Sequence, residues 1–529
     1  MGSEMCIRDR LYMLNNPSLN QKPIEIKRAL ISVFDKTGIV KVAQTLHGLG
    51  IEILSTGGTS AILKNKNIPV IDVSDYTGFP EIMDGRVKTI NPLIEGGILG
   101  LRDRHIKDAS ENKIKWIDLV ICNLYPFSDV IIQKGSNLSK EMENIDIGGP
   151  TMIRAAAKNL GWACVVVDPA DYTTIIDEVK TGKISYETRK KFSVKAFGHT
   201  AKYDVIIHNH LYSGDFPNDL SLTYEKHSEL RYGENPHQVA SAYKITNNQS
   251  GGILNAKIHQ GKTLSYNNIM DADAALNCLR EFDKTACVVV KHANPCGVSE
   301  GKNVLDAYKR AFNADRLSAF GGIVALNKRC TREVAEEINS VFVEIVLAPS
   351  FHDDALEIFS KKKNLRVLEF GKVKKRVTGL EVRNLNGGLL VQGVDISKIN
   401  KQELKVVTNI VPSKRDVDDM LFGWKALKHI KSNAILLVKN RTTVGVGAGQ
   451  VSRVDAVDVA IKKAGENISN NILCSDAFFP FRDSIDKIAN TGIKAVIQPG
   501  GSMRDNEVIS ACNEHQIAMV FTGKRCFKH

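Results

Sequence analysis

The sequence contains no apolar run that approaches the roughly 20 residues a membrane-spanning helix requires. Its ten cysteines are scattered singly, and no apolar signal-peptide core precedes them, so we expect reduced thiols and a cytoplasmic protein. The first residues also lack helical or strand periodicity. We treat residues 1–23 as a disordered or non-native leader.

The basic stretches of the chain lack stacking aromatic residues. The 529 residues carry a formal net charge of +12, which suits either a nucleic-acid-binding protein or an enzyme that acts on anionic small molecules. The densest basic stretches, residues 360–364 and 371–376, contain no aromatic residue, and this pattern favours solvated loops. A nucleic-acid-binding protein stays open as an alternative, and steeply salt-dependent binding to arbitrary DNA or RNA would identify it.

The standard nucleotide-binding fingerprints are missing as well. QGKTLS at residues 260–265 has the Gly-Lys-Thr of a P-loop without its upstream glycine. GVGAGQ at residues 445–450 has the wrong glycine spacing for a dinucleotide-binding loop. We therefore expect neither ATP nor NAD as a ligand.

A deaminase-type zinc site needs H-x-E followed by P-C-x-x-C. His227 and Glu229, followed by Pro295 and Cys296, match part of this pattern, but Ser299 stands where the second cysteine belongs. Three good ligands cannot be assembled from these residues, so we expect no catalytic metal.

Apolar segments alternate with amphipathic ones in the first half of the chain, which predicts βαβ units and a doubly wound, mostly parallel sheet. A polar, turn-rich stretch near residues 209–229 indicates a domain boundary. The second half is also α/β, and its hairpin at residues 435–447 indicates a mixed sheet. Two similar α/β lobes would fit within its length. The predicted strands of the first half occupy residues 28–34, 51–56, 68–73, 117–127 and 163–168.

Three loops of the first half are suited to a phosphate group, because hydroxyls, cations and the N–H groups at helix starts bind a monoester dianion. Each loop alone is also an ordinary turn and helix cap, so both interpretations remain open. The loops are FDKTG with Lys36 and Thr37, STGGTS with Thr56, Gly57, Gly58 and Thr59, and GRVKT with Arg86, Lys88 and Thr89.

Polar residues also follow other predicted strands. Asn123 and Tyr125 lie in CNLYPF, and Asp146 lies in IDIGGP before a helix that carries Lys158. The alternatives are a Tyr-Pro turn and a solvated helix face. The loop at residues 475–483 packs three phenylalanines around a proline, which indicates either a buried loop or one wall of an aromatic-ligand pocket.

Lys291 and His292 directly follow the apolar run at residues 288–290. Adjacent residues on a strand point to opposite faces, so an ordinary strand does not account for this pair. With zinc set aside, the pair is a cation next to a proton carrier at a sheet edge.

Ten spaced motifs, in order from about Arg28 to His529, resemble one family: the bifunctional purine-biosynthesis enzymes that join an AICAR (5-aminoimidazole-4-carboxamide ribonucleotide) transformylase to an IMP cyclohydrolase. The resemblance implies a methylglyoxal-synthase-like cyclohydrolase domain at residues 24–220. It also implies a transformylase domain of two cytidine-deaminase-like α/β lobes at residues 221–529. The motifs are SVFDKTG, GRVKT, CNLYPF, IDIGG, RAAAKN, LRYGENPHQ, KHANPCG, SKKKN, GAGQVSR and SDAFFPFRD.

The resemblance implies that the second domain transfers a formyl group from 10-formyltetrahydrofolate to the 5-amino group of AICAR. This weak nucleophile must lose a proton, and a positioned histidine typically accelerates such a step by roughly 10²–10⁴-fold. By the family match His292 carries the proton, and Lys291 stabilises charge or protonates the leaving group. By the same match, Asn433 orients the carboxamide and the histidine. Which of Lys291 and His292 delivers the proton to the folate nitrogen stays open. The match assigns substrate binding to Arg231, Tyr232, Arg453, Phe478, Phe481, Asp483 and Arg525.

The first domain would then close formyl-AICAR to inosine monophosphate with loss of water, a reaction in which proximity supplies much of the acceleration. Because an aspartate and a lysine can each hold the other charged, we expect Asp146 and Lys158 to act as a pair. The family match assigns the chemistry to Lys88, Tyr125, Asp146 and Lys158. It assigns substrate binding to Lys36, Thr37, Thr56, Gly57, Gly58, Thr59, Arg86, Thr89, Asn123 and Gly148.

The resemblance also implies a homodimer with transformylase sites across the interface. It implies folate as a cosubstrate, no bound cofactor or metal, and no nucleic-acid or membrane partner. Two positions depart from the family pattern: Asn91 stands where histidine is usual, and Cys526 lies in a tail often richer in histidine. A narrower alternative is a cyclohydrolase whose second half is only a binding scaffold, which would show no formyl transfer.

Overall fold

The structure is a computed structural model that describes residues 19–83, 85–245, 252–372 and 379–529. Most of the predicted leader, residues 1–18, lies outside the described residues. The chain divides into two compact units, and the boundary lies between Thr223 and Tyr224. Within the described residues, no helix is both long and apolar enough to cross a membrane.

The N-terminal unit is an α/β layer structure built from five strands and ten helices in its described residues. The strands are β1 (Arg28–Val33), β2 (Glu52–Ser55), β3 (Ile71–Asp72), β4 (Leu119–Asn123) and β5 (Cys164–Val166). The helices are α1 (Ile39–Gly48), α2 (Gly57–Lys64), α3 (Val73–Thr77), α4 (Pro92–Leu99), α5 (Ile106–Glu111), α6 (Phe127–Ile131), α7 (Leu138–Glu143), α8 (Gly148–Lys158), α9 (Tyr172–Lys180) and α10 (Tyr186–Leu211).

These five strands form one parallel sheet in the order β3-β2-β1-β4-β5. Alternate residues of β1 enter two separate apolar clusters, because successive side chains of a strand point to opposite faces. Ala29 and Ile31 pack with helices α1 and α9, whereas Leu30 packs with helices α4 and α8. Helices therefore cover both faces, as expected for a doubly wound sheet.

The C-terminal unit is also α/β, with sixteen strands and nine helices in its described residues. The strands are β6 (Tyr224–Leu230), β7 (Ala240–Ile245), β8 (Lys257–Gln260), β9 (Ala286–Lys291), β10 (Asn294–Glu300), β11 (Ile323–Leu326), β12 (Ile345–Ala348), β13 (Arg366–Glu369), β14 (Leu380–Leu385), β15 (Gly388–Gly393), β16 (Lys405–Val406), β17 (Ile435–Val438), β18 (Thr443–Gly447), β19 (Ile472–Ser475), β20 (Ala495–Gln498) and β21 (Ala518–Phe521). The helices are α11 (Tyr266–Leu279), α12 (Val304–Ala314), α13 (Arg316–Ala319), α14 (Arg332–Asn339), α15 (Asp353–Ser360), α16 (Lys414–Leu427), α17 (Arg453–Ala464), α18 (Asp483–Ile488) and α19 (Asp505–Glu514).

Two six-stranded mixed sheets of the C-terminal unit share one topology. The first lobe is built on the order β10-β9-β11-β12-β13-β8, and the second lobe on the order β18-β17-β19-β20-β21-β16. In each lobe an antiparallel hairpin is followed by three strands that are parallel to one another, and an antiparallel strand closes the far edge. The structure thus contains the two similar lobes that the length of this half allows.

The two lobes are joined along β10 and β18. The Val298 N–H donates to Thr443 Oγ1 at 2.9 Å, and the Glu300 N–H donates to the Arg441 carbonyl at 3.0 Å. One apolar cluster contains buried residues of both sheets, including Val288 and Leu436. The lobes therefore share a core.

The α/β prediction is confirmed in both units, and two local details differ from it. The predicted strand at residues 68–73 shrinks to Ile71–Asp72, because α3 begins directly at Val73. Gly57 and Gly58 are the first residues of α2 instead of a loop before it. Of the two basic stretches, residues 373–376 lie outside the described residues.

Candidate active sites

A cavity of about 850 Å³ opens at the carboxyl ends of β1, β2 and β4 in the N-terminal unit. In open α/β sheets ligands bind at this edge, where the strand order reverses. Most residues that the family resemblance assigns to the first domain line this cavity. They are Lys36, Thr56, Gly57, Gly58, Thr59, Arg86, Lys88, Thr89, Asn123, Tyr125, Asp146 and Gly148.

Asn123 connects the ends of β1 and β4 at the floor of this cavity. Its Oδ1 accepts hydrogen bonds from the N–H groups of Phe34 (2.6 Å) and Asp35 (2.9 Å), and its Nδ2 donates to the Asp35 carbonyl at 3.1 Å. The ring of Tyr125 packs edge-on against Phe34 with centroids 5.4 Å apart. Asn123 thus fixes the loop that carries Lys36 relative to Tyr125.

Hydroxyl groups tie the start of α2 to β1. Thr59 Oγ1 donates to the Val33 carbonyl at 3.0 Å, and Ser32 and Thr56 share a hydrogen bond of 2.9 Å between their hydroxyls. Lys36 Nζ donates to the Val33 carbonyl at 3.0 Å. A helix N-terminus, hydroxyls and an ammonium group therefore converge on one wall of the cavity, a combination suited to a phosphate monoester.

Asp146 is a partly buried carboxylate in the lining of the cavity. Burial raises the pKa of its carboxyl, while hydrogen bonds from the backbone of Gly149 and Tyr125 and the charge of Lys88 act in the opposite direction. The Gly149 N–H donates to Asp146 Oδ1 at 2.8 Å, and the Asp146 N–H donates to the hydroxyl of Tyr203 at 2.8 Å. Two hydrogen bonds therefore hold Asp146 in place, and Lys88 is its neighbouring cation.

Lys158 does not form the expected pair with Asp146. It is the last residue of α8, exposed to solvent, whereas Asp146 precedes the first residue of that helix. A helix of this length separates its ends by about 15 Å at 1.5 Å per residue. Thr37 also stays outside the cavity lining, and its N–H donates to Asp35 Oδ1 at 2.9 Å. The sequence spacing alone did not show that Asp146 and Lys158 lie at opposite ends of one helix.

Glu143 is a cavity residue that the sequence did not single out. Its carboxylate forms a bidentate ion pair with Arg86, in which Arg86 Nε donates to Glu143 Oε1 at 3.2 Å. Both side chains are largely exposed at the cavity mouth. Glu143 lies three residues before Asp146, and this proximity to the IDIGG motif is the signal that could have identified it.

Asn91, the residue that departs from the family pattern, caps helix α4. Its Oδ1 accepts a hydrogen bond from the Leu93 N–H at 2.9 Å, an ordinary N-cap contact. The substitution therefore retains a polar residue with a local structural role two residues beyond Thr89.

In the C-terminal unit, Lys291 and His292 begin the turn between β9 and β10. His292 and Ala293 both have positive φ, at 50° and 57°, as a two-residue type I′ hairpin turn requires. Lys291 Nζ donates to the carbonyls of Phe320 (2.9 Å) and Gly321 (3.1 Å), while His292 is exposed. Two backbone carbonyls thus hold the Lys291 ammonium, whereas the His292 side chain is exposed to solvent.

Asn433 belongs to a polar cluster in the second lobe. Arg453 Nη2 donates to Asn433 Oδ1 at 2.6 Å, and Arg453 Nη1 donates to Asp476 Oδ1 at 2.5 Å. The Arg453 side chain is 6% exposed and that of Asp476 is fully buried. Asn294 Nδ2 donates to the His292 carbonyl at 3.1 Å, and Asn294 Oδ1 accepts from the Lys431 N–H at 3.1 Å, which links the His292 turn to the Asn433 segment.

The other predicted transformylase residues lie in separate surface groups. The Arg231 guanidinium lies over the Tyr232 ring at 5.6 Å, and the Arg525 guanidinium over Phe527 at 4.9 Å. Phe478 and Phe481 are exposed. Asp483 begins α18 and accepts a hydrogen bond from the Ser484 N–H at 2.6 Å. Cys526 in the tail is buried. The described part of one chain does not bring these groups into hydrogen bonding with His292.

In the described residues no group of three or more His, Cys, Asp or Glu side chains is placed to hold a metal ion. The nine cysteines found there are unpaired, and all except Cys296 are buried.

Two family models match the chain. One is described as AICARFT/IMPCHase bienzyme and covers residues 156–463, and the other is an MGS-like domain at residues 38–151. The chain is 50% identical over 513 residues to the bifunctional purine biosynthesis protein PurH of Acetivibrio thermocellus, which covers 95% of this chain and 100% of the relative. A structure titled "Crystal structure of ForH" is 32% identical and covers 34% of this chain and 94% of its own. Its TM-score of 0.32 is too low to support an argument about the fold.

The matches agree with the predictions of fold and of activity. The MGS-like match falls on the parallel sheet of the N-terminal unit, as the sequence resemblance implied. The bienzyme match covers more than half of the chain, and the relative aligns over nearly all of it. The chain therefore belongs to the AICARFT/IMPCHase bienzyme family of purine biosynthesis, and it is both an AICAR transformylase and an IMP cyclohydrolase.

Proposed function

We propose that the two compact units divide the two activities. Residues 24–220 would cyclise formyl-AICAR in the cavity of the parallel sheet, and residues 221–529 would transfer the formyl group at the His292 turn. The observation that carries this proposal is the convergence of Lys36, Lys88 and Asp146 with the start of α2 on a single cavity.

For cyclisation, the substrate phosphate binds at the N-terminus of α2 and the imidazole ring lies toward Tyr125 and Asp146. The carboxamide nitrogen attacks the formyl carbon, a C–N bond forms, and the formyl oxygen gains negative charge. Lys88 stabilises this oxyanion. Asp146 accepts one proton of the attacking nitrogen and passes it to the formyl oxygen. The formamide nitrogen then loses its proton to the same oxygen, its bond to the formyl carbon becomes a double bond, and the C–O bond breaks as water leaves. Burial suits Asp146 to this exchange, because it brings the pKa of the carboxyl closer to neutrality.

For formyl transfer, His292 takes the proton of the AICAR amine while the amine nitrogen bonds to the formyl carbon. The bond between that carbon and the folate nitrogen then breaks, and this nitrogen gains a proton. Lys291 lies beside His292 with its ammonium held by two carbonyls, so its charge is fixed near the leaving group. Asn433, oriented by Arg453, would hold the carboxamide.

We further propose a cytoplasmic homodimer that uses 10-formyltetrahydrofolate as cosubstrate, without a bound cofactor or catalytic metal and without a nucleic-acid or membrane partner. The surface positions of Arg231, Phe478, Phe481 and Arg525 support the dimer. A second chain would supply the residues that one chain leaves apart from its His292 turn.

The test measures both activities in single-residue variants of the folded protein, each of which should lose only one of them. We expect His292→Ala to lower formyl transfer by at least 100-fold, because the proton carrier is lost, and to leave cyclisation of synthetic formyl-AICAR within about 2-fold. Lys88→Ala should do the reverse. Lys158→Ala is the matched control, since it removes the same charge outside the cavity and should cost cyclisation much less than Lys88→Ala.

Initial rates of both reactions, with circular dichroism to verify folding, give the answer. If either His292→Ala or Lys88→Ala removed both activities from a folded protein, the division between the units would be wrong. An equal loss of cyclisation in Lys88→Ala and Lys158→Ala would refute the placement of the reaction in this cavity.

A further inference from the structure

Each lobe holds its β-hairpin turn with an aspartate from the preceding helix. In the first lobe this residue is Asp271 of α11, and in the second lobe it is Asp419 of α16. Both aspartates lie in the second turn of their helix, after a serine N-cap that is part of a capping box. The two helices and the two hairpins therefore occupy equivalent places in the repeated topology.

The hydrogen bond to the second residue of the turn is also equivalent. In the first lobe, Asp271 Oδ1 accepts from the Ala293 N–H at 2.7 Å. In the second lobe, Asp419 accepts from the N–H groups of Asn440 (2.8 Å) and Arg441 (2.6 Å). In both lobes, one carboxylate accepts a hydrogen bond from the second residue of the turn.

Both turns need such support. Asn440 and Arg441 have φ values of 55° and 53°, so this turn is left-handed like the one at His292. No residue in either turn is glycine, and positive φ is unfavourable for residues with a β-carbon. Hydrogen bonds to a charged acceptor offset this cost and select one turn conformation.

The lobes differ in what the turn carries. The first turn presents the exposed imidazole of His292, whereas the second has Asn440 at the same place. Asp271 is half-buried, and His292 is among the groups whose charge acts on its carboxylate. Only the first aspartate therefore holds a turn that bears a proton carrier.

We propose that Asp271 is a positioning residue for formyl transfer: its carboxylate binds the backbone of the His292 turn and fixes the imidazole against the AICAR amine. This inference rests on the role proposed for His292. It predicts that loss of Asp271 slows the chemical step while substrate binding is retained, because a displacement of about 1 Å at a reacting group can cost 10²-fold in rate.

The experiment compares Asp271→Asn with Asp419→Asn, which removes the same charge and one acceptor from the equivalent turn. In Asp271→Asn we expect kcat of formyl transfer to fall by at least about 10-fold, with KM for AICAR and for 10-formyltetrahydrofolate changed by less than about 3-fold. In Asp419→Asn we expect kcat to stay within about 2-fold. Cyclisation should be unchanged in both, and thermal unfolding should report how much stability each variant loses.

Asp271→Glu is the second variant, in case the asparagine variant fails to fold. Asp271→Glu keeps the charge and both acceptor oxygens, so we expect its kcat to exceed that of Asp271→Asn. If Asp271→Asn is unfolded, we expect Asp271→Glu to be folded and active. The inference is overturned if folded Asp271→Asn keeps its full kcat, or if Asp271→Asn and Asp419→Asn lose kcat equally. It is also overturned if Asp271→Asn changes only KM, or if Asp271→Glu is as slow as Asp271→Asn. His292→Ala separates the two hypotheses: if that variant keeps full formyl transfer, the proposed function of His292 fails first.

Discussion

At the scale of single residues, Glu95 on α4 is a carboxylate whose pKa lies far from its ordinary value. Burial raises its pKa from 4.5 to about 7, and its Oε1 atom has no hydrogen-bond partner among the described residues. The folded protein thus binds this proton more tightly than the unfolded chain does. The stabilising contribution is complete below pH 4.5 and is lost as the pH rises through 7.

Glu95→Gln removes this titration and keeps the shape of the side chain. We expect the variant to exceed the parent in free energy of unfolding by about 1–3 kcal/mol at pH 8, and to differ little from it at pH 5. Urea unfolding at the two pH values measures the difference. A gain that is the same at both would show that the effect is not the charge of Glu95.

The candidate site residues show how far sequence reasoning extends at this scale. Residues at the end of a strand or just after it, such as Asn123 and Lys36, were predictable because the carboxyl ends of parallel strands meet at one edge of the sheet. Lys158 was misplaced relative to Asp146 because the motif that contains both spans a whole helix. Glu143 was missed because its role depends on Arg86, which lies far from it in the sequence.

At the scale of elements, the close approach of helix and strand depends on glycine in both lobes. A β-carbon on Gly297 of β10 would lie 1.9 Å from the carbonyl oxygen of Ala311 on α12. In the second lobe, a β-carbon on Gly445 of β18 would lie 2.1 Å from the Ala460 carbonyl oxygen on α17. These contacts involve backbone atoms, which can move aside only if the helix shifts.

Gly297→Ala should therefore lower the free energy of unfolding by about 1–3 kcal/mol through overpacking. Gly388→Ala is the matched control, because a β-carbon there meets no atom within 4 Å, and its effect should stay within about 0.5 kcal/mol. Chemical denaturation of the two variants measures both values. Equal effects would mean that the helix accommodates the extra carbon without cost.

The strands of the N-terminal unit were predictable apart from the length of β3, because most of them lie in largely apolar runs that end at a turn. The family resemblance implied two similar C-terminal lobes, but the residue pattern alone showed only that the length of this half allows them. Repeated topology needs only matching patterns of burial, and the paired turns have different residues, His292 and Ala293 against Asn440 and Arg441. What the lobes share is hydrogen bonding to an aspartate, which appears only once the chain is folded.

At the scale of the whole molecule, the proposed dimer makes a prediction about mixed subunits. We expect His292→Ala and Arg525→Ala each to be nearly inactive in formyl transfer as homodimers. If these residues of one site come from different chains, a mixed dimer holds one intact site. Random reassociation of equal amounts should then restore about a quarter of the parent activity.

The measurement is formyl transfer before and after the two variants are mixed and allowed to exchange subunits. Size-exclusion chromatography establishes that dimers are present. Cyclisation, which we propose to take place in the N-terminal unit, should stay at the parent level throughout. A mixture that never exceeds the activity of the separate variants would place His292 and Arg525 of one site on the same chain.

The shared core of the two lobes bears on the origin of this chain. Two halves of identical topology that join through matching edge strands have the organisation of a symmetric dimer carried on one polypeptide. A gene duplication followed by fusion would produce this arrangement. Each residue position of the ancestral lobe would then occur twice in the chain. One copy of the turn, at Asn440, could then keep a structural role, while the other copy, at His292, could evolve a role in proton transfer.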